Sequence, residues 1–136
     1  MFVLDTNVLS QLRRPEKADR KVLAWATMTP LASIFLSVVT LLELELGALS
    51  IARKDEAQGR VLRSWIDDQI LPRFEGRMLA IDTAVALRCA SLHVPDPRAE
   101  RDALIAATAL VHGMTIVTRN VAFFEPTGVQ ILNPWG

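Results

Sequence analysis

Cysteine is almost missing from this 136-residue chain, with Cys89 the single example. One cysteine forms no intrachain disulfide, and no cysteine-based zinc site is expected. Within Ala84-Val85-Ala86-Leu87-Arg88-Cys89-Ala90 it reads as a small core residue. Glycine and proline are sparse, at six and seven, while 51% of residues are apolar. That balance excludes a disordered or low-complexity chain. Long apolar runs are lacking too. None approaches the roughly 18 residues of a membrane span, and the longest candidate, Val38 to Leu49, is interrupted by Glu43 and Glu45. Met1-Phe2-Val3-Leu4 has neither a basic leader nor a small-residue cleavage site, and Asp5 breaks its apolar start. The protein is therefore expected to stay in the cytoplasm. An excess of either charge is the last absence. Fifteen basic and fifteen acidic residues cancel, so composition advertises no polyanionic partner.

What is present is a pattern. The length suits a single domain, residues 1–136, with one sizeable core. Short apolar runs read as strands: Phe2-Val3-Leu4, Ile34 to Val38, Met78 to Ile81, Thr115 to Thr118, and a weak fifth at Val129 to Leu132. Runs this short and apolar suit strands buried on both faces. Helical patterns alternate with them. Val22, Leu23 and Ala26 recur at helical spacing, and Leu41 to Ile51 is helical in composition. Val61, Leu62, Trp65, Ile66 and Ile70 follow the i, i+3, i+4 rule, with Pro72 marking the end. Ala84 to Leu92 forms another helix. Asp102 to His112 is the clearest, stopped by Gly113. Pro95 and Pro97 mark one rigid loop. Alternation of this kind predicts an α/β fold with a mainly parallel sheet and right-handed crossovers.

In an open α/β sheet, ligands bind beyond the carboxyl ends of the strands. Asp5 lies at that end of the first strand. It is followed by Thr6 and Asn7, which can bond to backbone or to the carboxylate. A helix N-cap explains Asp5 equally well, and one residue can do both. Glu43 follows the second strand by about one helical turn, among Leu41, Leu42, Leu44 and Leu46. It shares a face with Thr40, Leu46 and Gly47. A glutamate among leucines is costly to bury unless paired or metal-bound, although a surface glutamate near a helix N-terminus is an ordinary alternative. Gly47, a poor helix former, suggests close approach of something to that face. Glu45 lies about 200° around the helix and is expected to be the solvated one. Asp102 opens Asp102-Ala103-Leu104-Ile105-Ala106-Ala107-Thr108-Ala109, whose alanines let the helix approach the sheet. The charged run Arg98 to Arg101 before it is expected to be solvated. Thr118-Arg119-Asn120 leaves the fourth strand at the same edge. Asn120 is either a turn residue or a neutral oxygen near a metal. Hard cations such as Mg²⁺ take oxygen ligands and keep several waters, so a few carboxylates suffice.

These segments together resemble a known family. Asp5-Thr6-Asn7-Val8-Leu9-Ser10 looks like the opening motif of PIN-domain proteins, specifically the VapC toxins and the related FitB-like branch. Thr40-Leu41-Leu42-Glu43-Leu44-Glu45-Leu46-Gly47 resembles their second motif, and the segment from Asp102 to Ala109 their third. Thr118-Arg119-Asn120-Val121 and the ending Asn133-Pro134-Trp135 resemble the close of the FitB-like branch. The likeness spans essentially the whole chain in order and spacing. It implies a three-layer PIN-like fold, a central five-stranded mainly parallel sheet with helices on both faces. It implies endoribonuclease activity with Mg²⁺ or Mn²⁺, in a toxin of a type II toxin–antitoxin system.

By that resemblance Asp5 and Asp102 bind metal, and Glu43 binds it directly or through water and orients the nucleophile. Asn120 takes the position of a fourth acid, often Asp in the family, which puts a second tightly bound metal in doubt. Phe123 stands where related chains often carry Asp and is given no role. Implied partners are an RNA substrate, a cognate VapB-like antitoxin and a second copy, giving a homodimer and, with antitoxin, a heterotetramer or larger assembly, with no membrane. Antitoxins of this kind often place an Arg beside the carboxylates, a charge-assisted contact that suits three clustered anions. Trp25, Trp65 and Leu49 are candidate contacts for the partner, with a place in the core as the alternative. Arg13, Arg14, Lys17, Arg53, Lys54 and Arg119 are candidates for the RNA backbone. With no net charge, attraction to RNA must be local or supplied by the metal.

Three other readings compete. A HAD-like phosphatase would need a second Asp where Asn7 stands. A weakly active or inactive PIN domain could instead serve as a binding module that holds a partner on DNA, and Asn120 keeps that alternative open. His93 and His112 offer a metal-free route by general acid–base chemistry.

Overall fold

The computed structural model describes residues 1–136. Five strands form one parallel sheet in the order β3-β2-β1-β4-β5: β1 (Phe2–Leu4), β2 (Ile34–Ser37), β3 (Met78–Leu79), β4 (Thr115–Val117) and β5 (Ile131–Leu132). β1 is central. Phe2 pairs with Ile34 on one side and Thr115 on the other. The chain builds outward from β1 through β2 to β3, then returns to the opposite flank of β1 for β4 and β5. The strand order therefore reverses between β1 and β4, and at such a point the loops leaving the carboxyl ends part to form a crevice.

Alternate side chains of the strands feed two apolar layers. Leu4, Ile34, Leu36 and Val117 point to one face. They pack there under α1 (Thr6–Leu12), α2 (Arg20–Met28), α3 (Val38–Ala52) and the run that follows α4 (Glu56–Trp65). Val3 and Ile116 point to the other face, against Val39, Phe124, Val129 and α7 (Glu100–His112). The alanine run of α7 works on two sides. Ala106 and Ala109 lie on the sheet, while Ala103 and Ala107 meet Val85 and Cys89 of α6 (Thr83–Leu92). Helices on both faces of a parallel sheet are the expected architecture. Cys89 is buried as a core residue.

The strands are shorter than the sequence suggests. β2 stops at Ser37 because the Ser37 hydroxyl accepts the Val39 N–H at 3.0 Å and caps α3. Val38 is thus helical, and α3 starts three residues before Leu41. Ala80 and Ile81 lie outside β3, Thr118 outside β4, and Val129 and Gln130 outside β5. The helix marked by Pro72 ends at Arg73, one residue past that proline, as expected. Five residues, Ile66–Ile70, form a π-helical stretch, and helix resumes over α5 (Leu71–Arg73). A proline has no N–H to donate and crowds the carbonyl four residues back. The wider turn, in which the Leu71 N–H reaches Ile66 O, absorbs Pro72 without breaking the rod. Gly113 ends α7 in the left-handed region at φ 64°, as a C-terminal glycine should.

Gly47 is exposed, and nothing from the rest of the chain approaches it; the close approach expected on that face is absent. The tight glycine is Gly59, where an added Cβ would stand 2.5 Å from Ala52 Cβ. It lets α4 close on the end of α3. Trp25 packs edge-on to Phe2 at 5.4 Å, and Trp65 also packs against the core, whereas Leu49 is exposed. No helix is long and apolar enough to cross a membrane.

Candidate active site

Asp5 leaves the carboxyl end of β1 and caps α1, accepting the Thr6 N–H on Oδ1 at 2.9 Å. It is 5% exposed. Its other oxygen is held as firmly. Thr118, one residue past β4 and fully buried, donates its hydroxyl to Oδ2 at 2.7 Å, and Asn7 Nδ2 donates to the same oxygen at 3.2 Å. Asp5 is thus both a helix cap and a fixed carboxylate at the reversal point of the sheet. Burial raises its pKa above the ordinary carboxylate value. The bonds from Thr118 and Thr6 act the other way, and the charges of Asp102 and Glu43 raise it further.

Glu43 is the sixth residue of α3, deeper than a single turn. Thr6 donates its hydroxyl to Glu43 Oε1 at 2.7 Å, which ties α1 to α3, and the buried Thr40 hydroxyl lies 3.3 Å from the Thr6 oxygen. Its side chain retains 24% exposure. Asp102 is the third residue of α7 and half-buried. Its pKa is also raised, by burial first and by the Glu43 charge second, with Arg101 opposing. Asp5, Glu43 and Asp102 therefore come from three elements to within mutual electrostatic reach, as the sequence predicts.

Asn120 arrives differently. Its backbone N–H donates to Thr118 Oγ1 at 3.0 Å, while its side chain is exposed and makes no hydrogen bond. It stands one hydrogen-bonded residue away from Asp5. Thr118 is the orienting residue that sequence reasoning left without a role, and Thr6, expected to serve the backbone or Asp5, serves Glu43 as well. Their signal was position, since each directly follows a strand end or the Asp5 cap.

Three expectations need correction. Glu45 is turned away from the site but is not free in solvent; it is held bidentately by Arg63 of α4, with Asp67 on the same guanidinium. That pairing lowers the Glu45 pKa. The run Arg98 to Arg101 is solvated from Ala99 onward, as expected, but Arg98 is half-buried and committed. Arg98 donates through Nε to Leu92 O at 2.9 Å, Glu100 meets His93, and Arg101 Nη1 lies 3.9 Å from Glu43 Oε2. Finally, the two histidines do not pair. His112 closes α7 while Asp102 opens it, about 15 Å away along the axis. Arg119, exposed beside the site, stacks its guanidinium 5.1 Å over Trp135, whose N–H is turned by Asn133 Oδ1 at 3.0 Å.

Chemically, the set is all oxygen. Both Asp5 oxygens are pinned from the protein side, an arrangement that orients a ligand toward its metal. Three carboxylates gathered at one edge of the sheet, with Asp5 and Asp102 raised in proton affinity, offer a hard divalent cation what it binds.

Comparison with known proteins agrees in extent. The PIN domain family model matches residues 2–128. The chain is 34% identical over 140 residues to a VapC ribonuclease of Sinorhizobium fredii, covering 99% of this chain and 98% of that one. It is 38% identical over 141 residues to the toxin FitB of Neisseria gonorrhoeae, covering 99% of both. Among solved structures, the crystal structure of FitAcB from Neisseria gonorrhoeae superposes with a TM-score of 0.90 at 35% identity over 99% of each chain. FitAB bound to a DNA fragment gives 0.86 at 34%, covering 100% of this chain and 96% of that one.

Proposed function

This chain belongs to the PIN-domain family, and on that premise we propose that it is the toxin of a type II toxin–antitoxin pair, an endoribonuclease whose divalent cation is held by Asp5, Glu43 and Asp102. The observation that carries the reading is the convergence of these three carboxylates at the reversal point of the sheet, with Asp5 buried and anchored through both oxygens and Glu43 held by Thr6. Clustered anions raise one another's proton affinity at a cost that a cation relieves.

The donor set fits Mg²⁺ or Mn²⁺, since every ligand is a hard oxygen and no sulfur or nitrogen intrudes. When bound, the cation would neutralise phosphate charge and supply Lewis acidity for hydrolysis of the phosphodiester. The protein's own part is positioning. Thr118 and Asn7 fix Asp5, and Thr6 fixes Glu43, so the ligands need little reorganisation. Glu43, partly open to solvent, is placed to orient an attacking water. Asn120 brings no charge to the rim, so the site holds one divalent cation tightly rather than two. Arg101 and Arg119 flank the carboxylates and suit the RNA backbone.

The FitAcB and FitAB structures, and others of VapBC complexes bound to DNA, support a VapB-like antitoxin as partner. For this chain we propose a homodimer that joins its antitoxin as a heterotetramer or larger complex. A HAD-like phosphatase is disfavoured, because Asn7 donates to Asp5 and is no acid.

The test is cleavage of total RNA by the purified protein in Mg²⁺, with 5′-end mapping of the fragments. Asp5→Asn and an EDTA arm serve as controls. Cuts at defined positions that vanish in both controls are expected. Cleavage that survives Asp5→Asn would overturn the metal-site reading. An intact chain that binds antitoxin yet cuts nothing would favour the binding module that Asn120 allows.

A further inference from the structure

A second cluster of ligand atoms lies between the carboxyl end of α6 and the start of α7. Cys89 and His93 are four residues apart, the spacing that stacks side chains on one helical face. Glu100, the first residue of α7, faces them from the neighbouring helix. Cys89 Sγ is 3.8 Å from His93 Nε2, His93 Nε2 is 3.2 Å from Glu100 Oε2, and Cys89 Sγ is 3.9 Å from Glu100 Oε1. We propose that Cys89, His93 and Glu100 form a binding site for a borderline-soft divalent cation, zinc by preference, separate from the carboxylate site.

Geometry is the first support. A tetrahedral zinc ion with bonds of about 2.0 Å to nitrogen and oxygen and about 2.3 Å to sulfur holds those atoms about 3.3–3.6 Å apart. The Cys89–His93 and His93–Glu100 distances depart from that by a few tenths of an ångström. Cys89 and His93 meet different oxygens of Glu100; with one ligand atom per residue the set lies within 4.8 Å, and a turn of that exposed carboxylate closes it further. Placement is the second. The tripod is set by two packed helices, with Cys89 buried, the His93 side chain 19% exposed and the Glu100 side chain 69% exposed. Glu100 therefore gives the cation an entry path and leaves a fourth position for water. Ligand type is the third. One thiolate, one imidazole and one carboxylate select zinc over magnesium, the reverse of the all-oxygen set at Asp5. The sequence excludes a zinc site because it counts cysteines alone; a single thiolate suffices when histidine and glutamate complete the set.

The protons balance as follows. The Arg98 N–H donates to His93 Nδ1 at 3.0 Å, so in the metal-free ring the proton is on Nε2, toward Glu100. The Cys89 thiol donates toward Glu100 Oε1 at 3.9 Å, so in the metal-free protein the sulfur carries its proton. On binding, the sulfur and Nε2 each bond to the cation. The thiol proton leaves to solvent, the ring proton moves to Nδ1, and the Arg98 amide is released. Thiolate and carboxylate then offset the two positive charges, and one proton is set free. Glu100 precedes Asp102 by two residues, so the cation would also pin the turn that carries it.

Cobalt titration of the full-length, reduced protein in excess Mg²⁺ tests this. One equivalent should give the ultraviolet thiolate-to-cobalt charge-transfer band, which an all-oxygen site does not produce. Equilibrium dialysis should then retain one zinc per chain. Cys89→Ser should abolish the band. Glu100→Gln, a change at an exposed side chain, should weaken binding at least tenfold in a chain that still folds. Asp102→Asn should leave the band intact, and zinc should speed hydrogen exchange at the Arg98 amide. No band with the thiol shown to be reduced would leave only a hydrogen-bonded trio, and the proposal would be wrong. Loss of the band in Asp102→Asn would overturn it equally.

Discussion

Thr118 carries no charge, yet its hydroxyl joins the site's two flanks. It donates to Asp5 Oδ2 and accepts the Asn120 N–H. Thr118→Val keeps the shape and removes both bonds. Groups that orient metal ligands typically contribute 10–100-fold, so RNA cleavage should fall by about that factor, with weaker Mn²⁺ binding by calorimetry, and Thr118→Ser should recover most of it. Asp102 makes the opposite kind of prediction. Its pKa is raised from the ordinary 3.8, by burial first and then by Glu43. A carboxylate raised on folding favours the protonated native state. Its stabilising contribution is complete below the unfolded value and is lost as pH rises through the folded one. In EDTA at pH 7, Asp102→Asn should therefore melt at a higher temperature than the parent. The difference should close as pH falls to about 3.8 and below. Saturating Mg²⁺ should reverse the order, since a ligand at 100 times its Kd adds about 2.7 kcal/mol to the form that binds it. A parent chain already the more stable in EDTA would mean that the carboxylates do not strain one another.

At the scale of elements, α3 and α4 hold two glycines with opposite demands. Gly47 is exposed with open space at its Cβ position, so Gly47→Ala should raise stability by roughly 0.5–1 kcal/mol in urea denaturation. A Cβ added at Gly59 would stand 2.6 Å from Ala52 Cα, so Gly59→Ala should cost about 1–3 kcal/mol, and Ala52→Gly should return part of it. Sequence alone would treat the two alike, because which helix face meets a neighbour is a tertiary fact. The same limit separates what was legible from what was not. Asp5, Glu43 and Asp102 could be placed because each follows a strand or opens a helix, and a parallel sheet sends all such positions to one edge. The ends of the strands could not. β2 ends where the Ser37 hydroxyl captures a backbone N–H, a local competition that apolar runs do not display. Glu45 looked solvated because its partner, Arg63, is eighteen residues away on another helix. The π-helical stretch before Pro72 escaped for a related reason. Its own Ile66 and Ile70 are buried in the core, and that tertiary packing holds the widened turn just ahead of the proline.

Over the whole molecule, charge is divided by distance rather than by sign. The carboxylates occupy the edge where β1 and β4 end. Arg13, Arg14 and Lys17 lie beyond the far end of α1, about 12 Å along it from Asp5. Arg53 and Lys54 follow the far end of α3, about 15 Å past Glu43. Of the remaining cations, Arg63 and Arg77 are spent on Glu45, Asp67 and backbone carbonyls. Arg101 and Arg119 stand beside the site, the first near Glu43 and the second steadied by Trp135. Each neutralised phosphate of a single strand contributes about 0.7 to the slope of log affinity against log salt. Two contacts predict a slope of about −1.4 for RNA binding by the protomer at a fixed Mg²⁺ concentration. The measurement is fluorescence anisotropy of a short labelled RNA with Asp5→Asn, which binds without cutting, across a salt series. Arg101→Ala and Arg119→Ala should each flatten the line by about 0.7. A slope of about −4 or steeper would transfer the contact to the distant basic residues, and RNA would then have to run along the helices from one end of the sheet to the other.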